Sequence, residues 1–215
     1  MKKLLEISNL TKHYDDICIF HKVSFSLNEG ELLAITGNSG IGKSTLLEII
    51  GNLDFNYQGQ IKKDVENIAY MFQTSWLLPW LTVEENINLP LKLNKKLNKN
   101  YKETINNMLI DLGLPPKVGL MYPSQLSGGM VSRIALARAL IIQPKILLLD
   151  EPTSSLDYQS AKVILTYLKK YLQENKACAV WVTHDLAIAN MYADKFSSLI
   201  GKPSELIFLS EAFTL

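Results

Sequence analysis

The segment GNSGIGKST at residues 37–45 constrains the fold of this chain more than any other part of the sequence. It matches the pattern G-x-x-x-x-G-K-[ST] and follows the apolar segment 31–37, which is typical of a β-strand. Its glycines allow consecutive backbone N–H groups to point at phosphate oxygens, and a helix predicted to begin at Lys43 adds its positive dipole end. A glycine-rich turn with a purely structural role is the alternative, but the order of strand, loop and helix favours phosphate binding.

The residue types of this loop predict how it holds a nucleotide. Lys43 is placed to reach the β- and γ-phosphates of a nucleoside triphosphate, and the Ser44 hydroxyl is placed to ligate Mg²⁺. The residues predicted to contact the nucleotide here are Gly37, Asn38, Ser39, Gly40, Ile41, Gly42, Lys43, Ser44 and Thr45.

Two acidic residues stand at the end of the apolar segment ILLLD at 146–150, which is typical of a buried parallel strand. Asp150 is placed to hold magnesium through water. Glu151 is free to act as a general base toward an attacking water, an effect worth about 10²–10⁴ in rate. An acidic pair in a solvated turn is the alternative, and the phosphate-binding loop elsewhere in the chain favours the functional interpretation.

Apolar alternation and short apolar runs predict the other elements. We expect further strands at 4–10, 19–27, 68–72 and 178–183, and helices at 159–174 and across about 82–142, with breaks at 94–100 and 113–119. We find no internal repeat. Strands that alternate with helices, together with a helical insert, predict an α/β domain that carries a helical lobe.

The overall composition excludes several classes of protein. With 47% hydrophobic and 20% charged residues among 215, the chain is expected to bury a globular core. A net charge of +1 offers no electrostatic reason to bind nucleic acid or an anionic membrane surface. Cys18 and Cys178 are far apart and lack metal-ligand spacing, which favours a reduced, cytosolic protein.

No segment is expected to enter a membrane. The amino-terminal segment MKKLLEISNL lacks an apolar run long enough for a signal sequence. The most apolar stretch, IALARALIIQPKILLL, is interrupted by Arg138, Pro144 and Lys145, whereas a spanning helix needs about twenty apolar residues. If the protein works at a membrane, we expect it to do so through a partner.

A further motif, LSGGM at 126–130 before the helical pattern VSRIALARAL, narrows the class of nucleotide-binding protein. Together with the phosphate-binding loop, the acidic strand, Gln73, the segment SSLD at 154–157 and His184, it resembles the ATP-binding subunit of ABC transporters. The resemblance runs from Tyr14 to His184 in the order of that family.

The resemblance implies a P-loop NTPase core with a mostly parallel sheet and flanking helices. It also implies an amino-terminal antiparallel β-lobe and a helical subdomain that carries the signature motif LSGGM. Residues 1–215 would form one ABC ATPase domain, with the β-lobe and core in about 1–73 and 143–215 and the helical subdomain in about 74–142.

The resemblance also assigns roles outside the phosphate-binding loop. Ser127, Gly128 and Gly129 would offer backbone N–H groups to the γ-phosphate of an ATP held by a second ATPase subunit, so that two chains sandwich two nucleotides. Asp157 would lie in the loop that crosses between the subunits.

Three further residues would complete the site. His184 would contact the γ-phosphate and hold the water against Glu151, although a histidine at a strand end is also compatible with a structural role. Gln73 would touch Mg²⁺ and the water. Tyr14 would stack on the adenine, and a strand tyrosine packed on the core is the alternative.

The chain departs from the family pattern in two places. Met130, Val131 and Ser132 replace the glutamine and the polar or basic pair usual in the signature helix, which puts local contacts of that helix in doubt. Residues 60–68 are also shorter than the family's usual hairpin, so we expect a trimmed β-lobe there.

The segment FQTSWLLPWLTVEENI at 72–87 gathers two of the three tryptophans around Pro79, which argues against an interior helix or a central strand. In the family this region receives a short helix of the membrane permease, so residues 73–81 are predicted to dock that partner. LLPWLTVEENI and YPSQLSGGM resemble importers of nitrate, sulfonates and taurine. The alternative is that Trp76 and Trp80 pack under the helical lobe.

The expectation is therefore a cytoplasmic ATPase subunit, peripheral at the inner face of the cell membrane, that uses ATP and Mg²⁺ to drive a separate permease. A solute-binding protein is expected in the complete system, and the transported solute is not encoded in this chain. Two alternatives are an ABC exporter or lipid-trafficking ATPase and a soluble ABC ATPase in DNA repair, cluster assembly or translation. The lack of a long coiled-coil insert between the phosphate-binding loop and the signature motif argues against the repair proteins. The single cassette without a basic arm argues against the translation factors.

Overall fold

The computed structural model describes residues 2–65, 67–74, 76–95, 100–154 and 156–208, and within these ranges the chain forms nine strands and six α-helices. The strands are β1 (Lys3–Tyr14), β2 (Ile17–Asn28), β3 (Leu32–Thr36), β4 (Gln58–Lys63), β5 (Ile68–Met71), β6 (Ile146–Asp150), β7 (Cys178–Val182), β8 (Lys195–Gly201) and β9 (Ser204–Phe208). The helices are α1 (Lys43–Ile50), α2 (Val83–Leu93), α3 (Tyr101–Asp111), α4 (Gly128–Leu140), α5 (Tyr158–Glu174) and α6 (Leu186–Tyr192), and short 3₁₀ turns span Pro116–Leu120 and Pro123–Gln125.

The strands form one mixed sheet in the order β4-β1-β2-β9-β8-β3-β7-β6-β5. Strands β8, β3, β7, β6 and β5 pair in parallel, whereas β4, β1 and β2 pair antiparallel. The predicted α/β fold, with a mostly parallel core and an antiparallel amino-terminal lobe, is confirmed. Since the carboxyl ends of parallel strands lie at one edge, the segments that follow β3, β6 and β7 are brought together there.

The central strands are buried on both faces because helices cover each side of the sheet. Every residue of β3, β6 and β7 is buried, as expected for parallel strands that read as continuous apolar runs. Alternate residues of β3 face opposite cores: Leu33 and Ile35 pack with α1, and Leu32 and Ala34 pack with the cluster that contains helices α2 to α5.

The predicted helical span of 82–142 contains α2, α3 and α4. Thr82 caps α2 in a reciprocal capping box, in which Glu85 accepts from the Thr82 backbone N–H. The predicted break at 94–100 falls partly outside the described residues, since 96–99 are not among them. The break at 113–119 is a turn followed by the first 3₁₀ segment. The division of the chain into core and helical subdomain remains a prediction.

Strands β8 and β9, which lie in the middle of the sheet, and helix α6 were not predicted from the sequence. Strands β8 and β9 form an antiparallel hairpin, and β9 meets β2 through the pair Phe20 and Ser204, which joins the lobe to the parallel core. Their burial patterns mix exposed and buried residues without the long apolar run of β6 or β7. Helix α6 has seven residues, of which only Ala189 is buried, so its periodic signal is weak.

Within the residues that the structure describes, none of the helices combines the length and apolarity that a membrane crossing requires.

Candidate active site

The phosphate-binding loop lies between β3 and α1, and its backbone depends on glycine at both ends. Gly42 precedes α1 with a φ of 105°, and a Cβ added to it would lie 2.7 Å from the Ile19 Cγ2. Gly37 has a φ of 147°, and its added Cβ would lie 2.7 Å from the backbone oxygen of Leu199. A side chain at either position is excluded both by backbone conformation and by space.

Lys43 lies across the curve of this loop. Its Nζ donates to the carbonyl oxygens of Gly37 at 2.7 Å and Asn38 at 3.0 Å, and the residue is buried. The ammonium group is therefore held inside the loop by neutral carbonyls, at the place where the sequence predicts phosphate oxygens.

The rest of the loop is open on one side. Asn38, Ser39, Gly40 and Ser44 are exposed, and the structure leaves a cleft of about 530 Å³ beside residues 37–41. The other wall of this cleft is formed by residues 198–202 of the β8–β9 hairpin, which sequence reasoning missed. Ile41 and Thr45, also predicted to contact nucleotide, are half-buried.

Asp150 is buried at the end of β6, next to the start of α1. Burial raises the pKa of its carboxyl group, while hydrogen bonds from the Ser44 hydroxyl and from Tyr70, whose Oη lies 3.5 Å from Oδ2, act in the opposite direction. Burial also raises the pKa of Tyr70, and the charge of Asp150 adds to that shift. Tyr70 was not predicted, because a tyrosine in a short strand carries no local signal of a polar role.

Two side chains, Gln73 and His184, converge on one carboxylate oxygen of Glu151, the residue after Asp150. Gln73 Nε2 donates to Glu151 Oε2 at 3.1 Å, and His184 Nδ1 lies 3.3 Å from the same oxygen. The strand β7 and the turn after it deliver His184, and the segment after β5 delivers Gln73. The tertiary structure thus assembles three residues that lie far apart in the sequence.

Glu151 has an unusual backbone conformation for a residue with a side chain. Its φ is 46°, in the left-handed region, and its N–H donates to the Val182 oxygen at 3.0 Å. Backbone strain of this kind costs about 1–3 kcal/mol and tends to occur where function requires a fixed geometry. The conformation directs the half-buried carboxylate toward Gln73 and His184.

The signature residues begin helix α4 and make few contacts. Ser127 caps the helix, its Oγ accepting from the Met130 N–H at 3.4 Å. A Cβ added to Gly128 would meet nothing within 4 Å, and one added to Gly129 would reach only ordinary contact distance, 3.4 Å from Ser160 Oγ. The fold of this chain does not require glycine at either position.

Met130, Val131 and Ser132, where the signature helix departs from the family pattern, lie near the start of α4. Met130 and Val131 are half-buried and pack against the core, and Ser132 is buried. Arg133 donates through Nε to the Gly129 oxygen at 3.0 Å and through Nη1 to the Leu112 oxygen at 3.3 Å. The start of α4 is therefore anchored by packing and by Arg133.

Asp157, predicted to lie between subunits, is exposed and caps helix α5. Its carboxylate accepts from the Ser160 N–H at 3.0 Å and from the Ser160 hydroxyl at 2.8 Å, and these bonds lower the pKa of Asp157. Its side chain therefore has a local structural role in the single chain.

Tyr14 lies at the end of β1 with 46% of its surface exposed, so the alternative that it packs into the core is wrong. Its Oη lies 3.4 Å from Asp54 Oδ2, and the Lys12 Nζ lies 4.4 Å from the centre of its ring. Lys12 and Asp54 were not predicted.

The tryptophan segment is exposed. Trp76 is 74% and Trp80 69% exposed, whereas Leu77 between them is buried. The alternative that both tryptophans pack under the helical lobe is therefore wrong. Among the described residues from Trp76 to Trp80, Leu77 is the one that belongs to the hydrophobic core.

Asn86, which is fully buried in α2, holds the segment in shape. Its Oδ1 accepts from the Leu78 N–H at 2.7 Å, and its Nδ2 lies within 3.1 Å of the carbonyl oxygens of Leu78, Leu81 and Thr82. Sequence reasoning missed Asn86, because a polar residue in a helix pattern is normally expected on the solvent side.

Arg138 of α4 contacts the same segment from the other side. Its Nη1 donates to the Trp76 oxygen at 2.6 Å, and burial lowers the pKa of its guanidinium group. A groove of about 250 Å³ lies here between β5, α2 and α4, with Phe72, Trp76 and Arg138 among its lining residues. The exposed tryptophan therefore borders a preformed groove.

Comparison with known proteins agrees with this geometry. The family described as ABC transporter matches residues 20–154. The chain is 34% identical over 214 residues to the aliphatic sulfonates import ATP-binding protein SsuB of Bacillus thuringiensis subsp. konkukian (strain 97-27), covering 94% of this chain and 83% of the relative. It is 36% identical over 207 residues to the glutamine transport ATP-binding protein GlnQ of Bacillus subtilis (strain 168), covering 89% of this chain and 85% of that protein.

A solved structure is similar over almost the whole chain. The dimeric, post-hydrolysis structure of the ATP-binding cassette MJ0796 bound to ADP and Pi superposes with a TM-score of 0.82 at 32% identity, covering 97% of this chain and 99% of the other. The family match, the relatives and the fold agree. The chain belongs to the ABC transporter family, as one of its ATP-binding proteins that hydrolyse ATP.

Proposed function

We propose that this ATPase powers the import of a small solute through a separate membrane permease, and that its working form is a dimer with two ATP molecules between the subunits. The observation that carries the hydrolytic step of this proposal is the Glu151 carboxylate, which Gln73 and His184 both contact beside the phosphate-binding loop. This is the arrangement that a base for water attack on a γ-phosphate needs.

The proposed chemistry is the hydrolysis of the γ-phosphoryl bond. The loop at 37–45 and Lys43 hold the phosphates, and the attacking water lies against Glu151 Oε2 with Gln73 and His184 fixing its position. As the water oxygen bonds to the γ-phosphorus, the bond to the β–γ bridging oxygen breaks, and Glu151 accepts the proton. The products are ADP and inorganic phosphate.

The donor set beside the loop fits a magnesium ion. Ser44 and Asp150 provide hard oxygen ligands, and the two side chains share a hydrogen bond. The third predicted ligand, Gln73, is hydrogen-bonded to Glu151, the residue after Asp150. In the described ranges no group of three His, Cys, Asp or Glu side chains forms a complete metal cage. Mg²⁺ usually takes one or two protein oxygens plus phosphates and water, and it neutralises charge that develops on the phosphates.

The dimer is proposed because the chain presents half of a composite site. Gly128 and Gly129 begin helix α4, and the backbone N–H groups at a helix start can bind an anion. A Cβ added to Gly128 would meet no atom within 4 Å. Neither glycine lines the cleft beside the phosphate-binding loop of the same chain. A second copy that places Ser127, Gly128 and Gly129 against the γ-phosphate, with Asp157 beside it, would complete each site. The dimeric state of MJ0796 supports this proposal.

The permease is proposed to dock on residues 73–81 and on the groove beside them. Trp76 and Trp80 are exposed large apolar side chains, and such residues often anchor protein interfaces. Asn86 and Arg138 hold the segment in place before any partner arrives. This docking places the subunit at the cytoplasmic face of the membrane.

Small anions such as sulfonates, nitrate or taurine are the proposed class of imported solute, and a solute-binding protein would deliver them. The sulfonate-import relative supports this class, as do LLPWLTVEENI and YPSQLSGGM. The chain is also similar to a glutamine-transport protein, so the solute has to be read from the permease and the binding protein.

The direct test is Glu151→Gln. Without the base, hydrolysis should slow by about 10²–10⁴, while ATP and the signature contacts remain. The variant should elute as a dimer in size-exclusion chromatography with ATP and as a monomer without it. Glu151→Gln combined with Lys43→Ala is the control and should stay monomeric. A Glu151→Gln protein that binds ATP tightly and remains monomeric would contradict the sandwich.

A further inference from the structure

A buried lysine lies directly beneath the exposed ring of Tyr14. The side chain of Lys12 is 1% exposed, and its Nζ is 4.4 Å from the Tyr14 ring centre. Residues two apart in a strand point to the same face, so β1 places the two side chains together. Lysine is almost never fully buried without a partner, and this burial therefore calls for an explanation.

The partners of Lys12 come from the loop after α1. Its Nζ contacts Asp54 Oδ2 at 2.7 Å and donates to the Asn56 oxygen at 2.7 Å. The hydrogen bond from Lys12 lowers the pKa of Asp54, which also accepts from the Tyr14 hydroxyl at 3.4 Å. The ammonium group and the carboxylate thus hold the tyrosine at two points, its ring face and its hydroxyl.

We propose that Lys12 is a positioning residue for ATP: with Asp54 it fixes the Tyr14 ring so that the opposite face receives the adenine. The inference rests on the proposed role of Tyr14 in base stacking. A cation on one ring face draws π-electron density toward itself, which favours an electron-rich purine on the other face. A ring that is already ordered also loses less freedom when the nucleotide binds.

The alternative is a purely structural ion pair that ties β1 to the loop after α1. Both roles predict lower stability when Lys12 is removed. Only the positioning role predicts a defect that depends on the base of the nucleotide and on Tyr14. The test must therefore separate base-dependent from phosphate-dependent binding.

The experiment is steady-state ATP hydrolysis by Lys12→Met in the full chain, with inorganic tripolyphosphate as a competitive inhibitor that lacks a base. We expect the KM for ATP to rise about 3- to 10-fold, with kcat changed less than about 2-fold and the inhibition constant of tripolyphosphate unchanged. Lys12→Arg keeps a cation, so its KM for ATP should be close to that of the parent protein. In a Tyr14→Ala background, Lys12→Met should add no further increase.

Two variants keep the test decisive if Lys12→Met folds poorly. Asp54→Asn retains Lys12 but removes the carboxylate that pairs with its ammonium group, so a smaller base-dependent rise in KM is expected. Lys195→Met is the matched control, because Lys195 also pairs with a carboxylate, Glu31 at 2.8 Å, and should change stability without changing the KM.

The outcomes separate this inference from the proposed function. If Tyr14→Ala raises the KM and both Lys12→Met and Asp54→Asn leave it unchanged, the positioning role is wrong and the adenine site stands. Equal losses for ATP and tripolyphosphate also reject positioning. If Tyr14→Ala itself changes nothing while ATP is still hydrolysed, the adenine assignment is wrong and the role of Lys12 falls with it.

Discussion

Two glycine-containing loops, each leading into a helix, differ in how far the surrounding chain constrains their glycines. The loop at 37–45 leads into α1, which begins at Lys43, and the signature loop at 126–130 leads into α4, which begins at Gly128. Gly42 in the first loop has a positive φ and no space for a Cβ, whereas Gly128 in the second has open space around it. Lys43 crosses the first loop and bonds two of its carbonyls, while in the second loop Ser127 caps the helix start.

The difference concerns which contacts require the glycines in each loop. The loop at 37–45 is shaped by contacts within the chain, so its glycines serve the fold as well as the proposed phosphate ligand. The proposed dimer would account for the signature glycines, which the fold of one chain does not need, because a second subunit would approach them from outside. The pair of loops therefore supports the proposed site shared between two subunits, and variants at Lys43, Gly42 and Gly128 test this contrast.

The largest effect is expected at the first loop. Lys43→Ala removes the side-chain charge predicted to hold the β- and γ-phosphates and should abolish turnover. Phosphate release at saturating Mg-ATP measures this, and circular dichroism should show that the fold survives. The exposed Lys170→Ala is the control and should hydrolyse ATP normally. Near-normal kcat in Lys43→Ala would remove the basis of the loop assignment.

At the second loop, Gly128→Asp should leave a folded protein, because an added Cβ meets no atom within 4 Å. A carboxylate at the start of α4 would repel the γ-phosphate of the partner's ATP. Hydrolysis should fall by at least about 100-fold, as when one preorganised anion-binding donor is lost. Equal ATPase activity in this variant and the parent would argue that Gly128 faces no phosphate.

Gly42→Ala provides the contrasting control. Its φ of 105° and the 2.7 Å approach to Ile19 Cγ2 make alanine unfavourable there, at a cost of about 1–3 kcal/mol from backbone strain alone. A lower melting temperature is expected for Gly42→Ala and not for Gly128→Ala. The same melting temperature for both would break the comparison.

The smallest effect on the isolated subunit is expected from Trp76→Ala combined with Trp80→Ala. Both side chains are mostly exposed, so melting temperature and basal ATPase should stay near the parent values. Capture of the permease and permease-stimulated hydrolysis should fall, because interface anchors often contribute about 2 kcal/mol or more.

Trp181→Ala is the matched control for the pair. Trp181 is fully buried in β7, and its truncation should cost about 3–5 kcal/mol of folding free energy. If the Trp76 and Trp80 double variant melts as low as Trp181→Ala, or still binds the permease as well as the parent, the docking surface is wrongly placed.

The elements that could be predicted from the sequence are those with strong local patterns. Strands β3, β6 and β7 are short apolar runs buried on both faces, and α1 follows the glycine-rich loop. Helix α6 and the β8–β9 hairpin could not be predicted in this way. Their few buried residues are explained by packing against distant strands, not by a local period.

By itself, the sequence determined the family of this chain. It also predicted which residues carry phosphate chemistry and in what order, because such chemistry requires particular side chains at particular spacings along the chain. Only the tertiary structure decided which side chains meet. It brought Gln73 and His184 to one oxygen of Glu151, and it placed Lys12 under Tyr14. It also left Trp76 and Trp80 exposed while burying Trp181. Burial and convergence depend on how strands and helices pack across long sequence separations, and no local pattern contains that information.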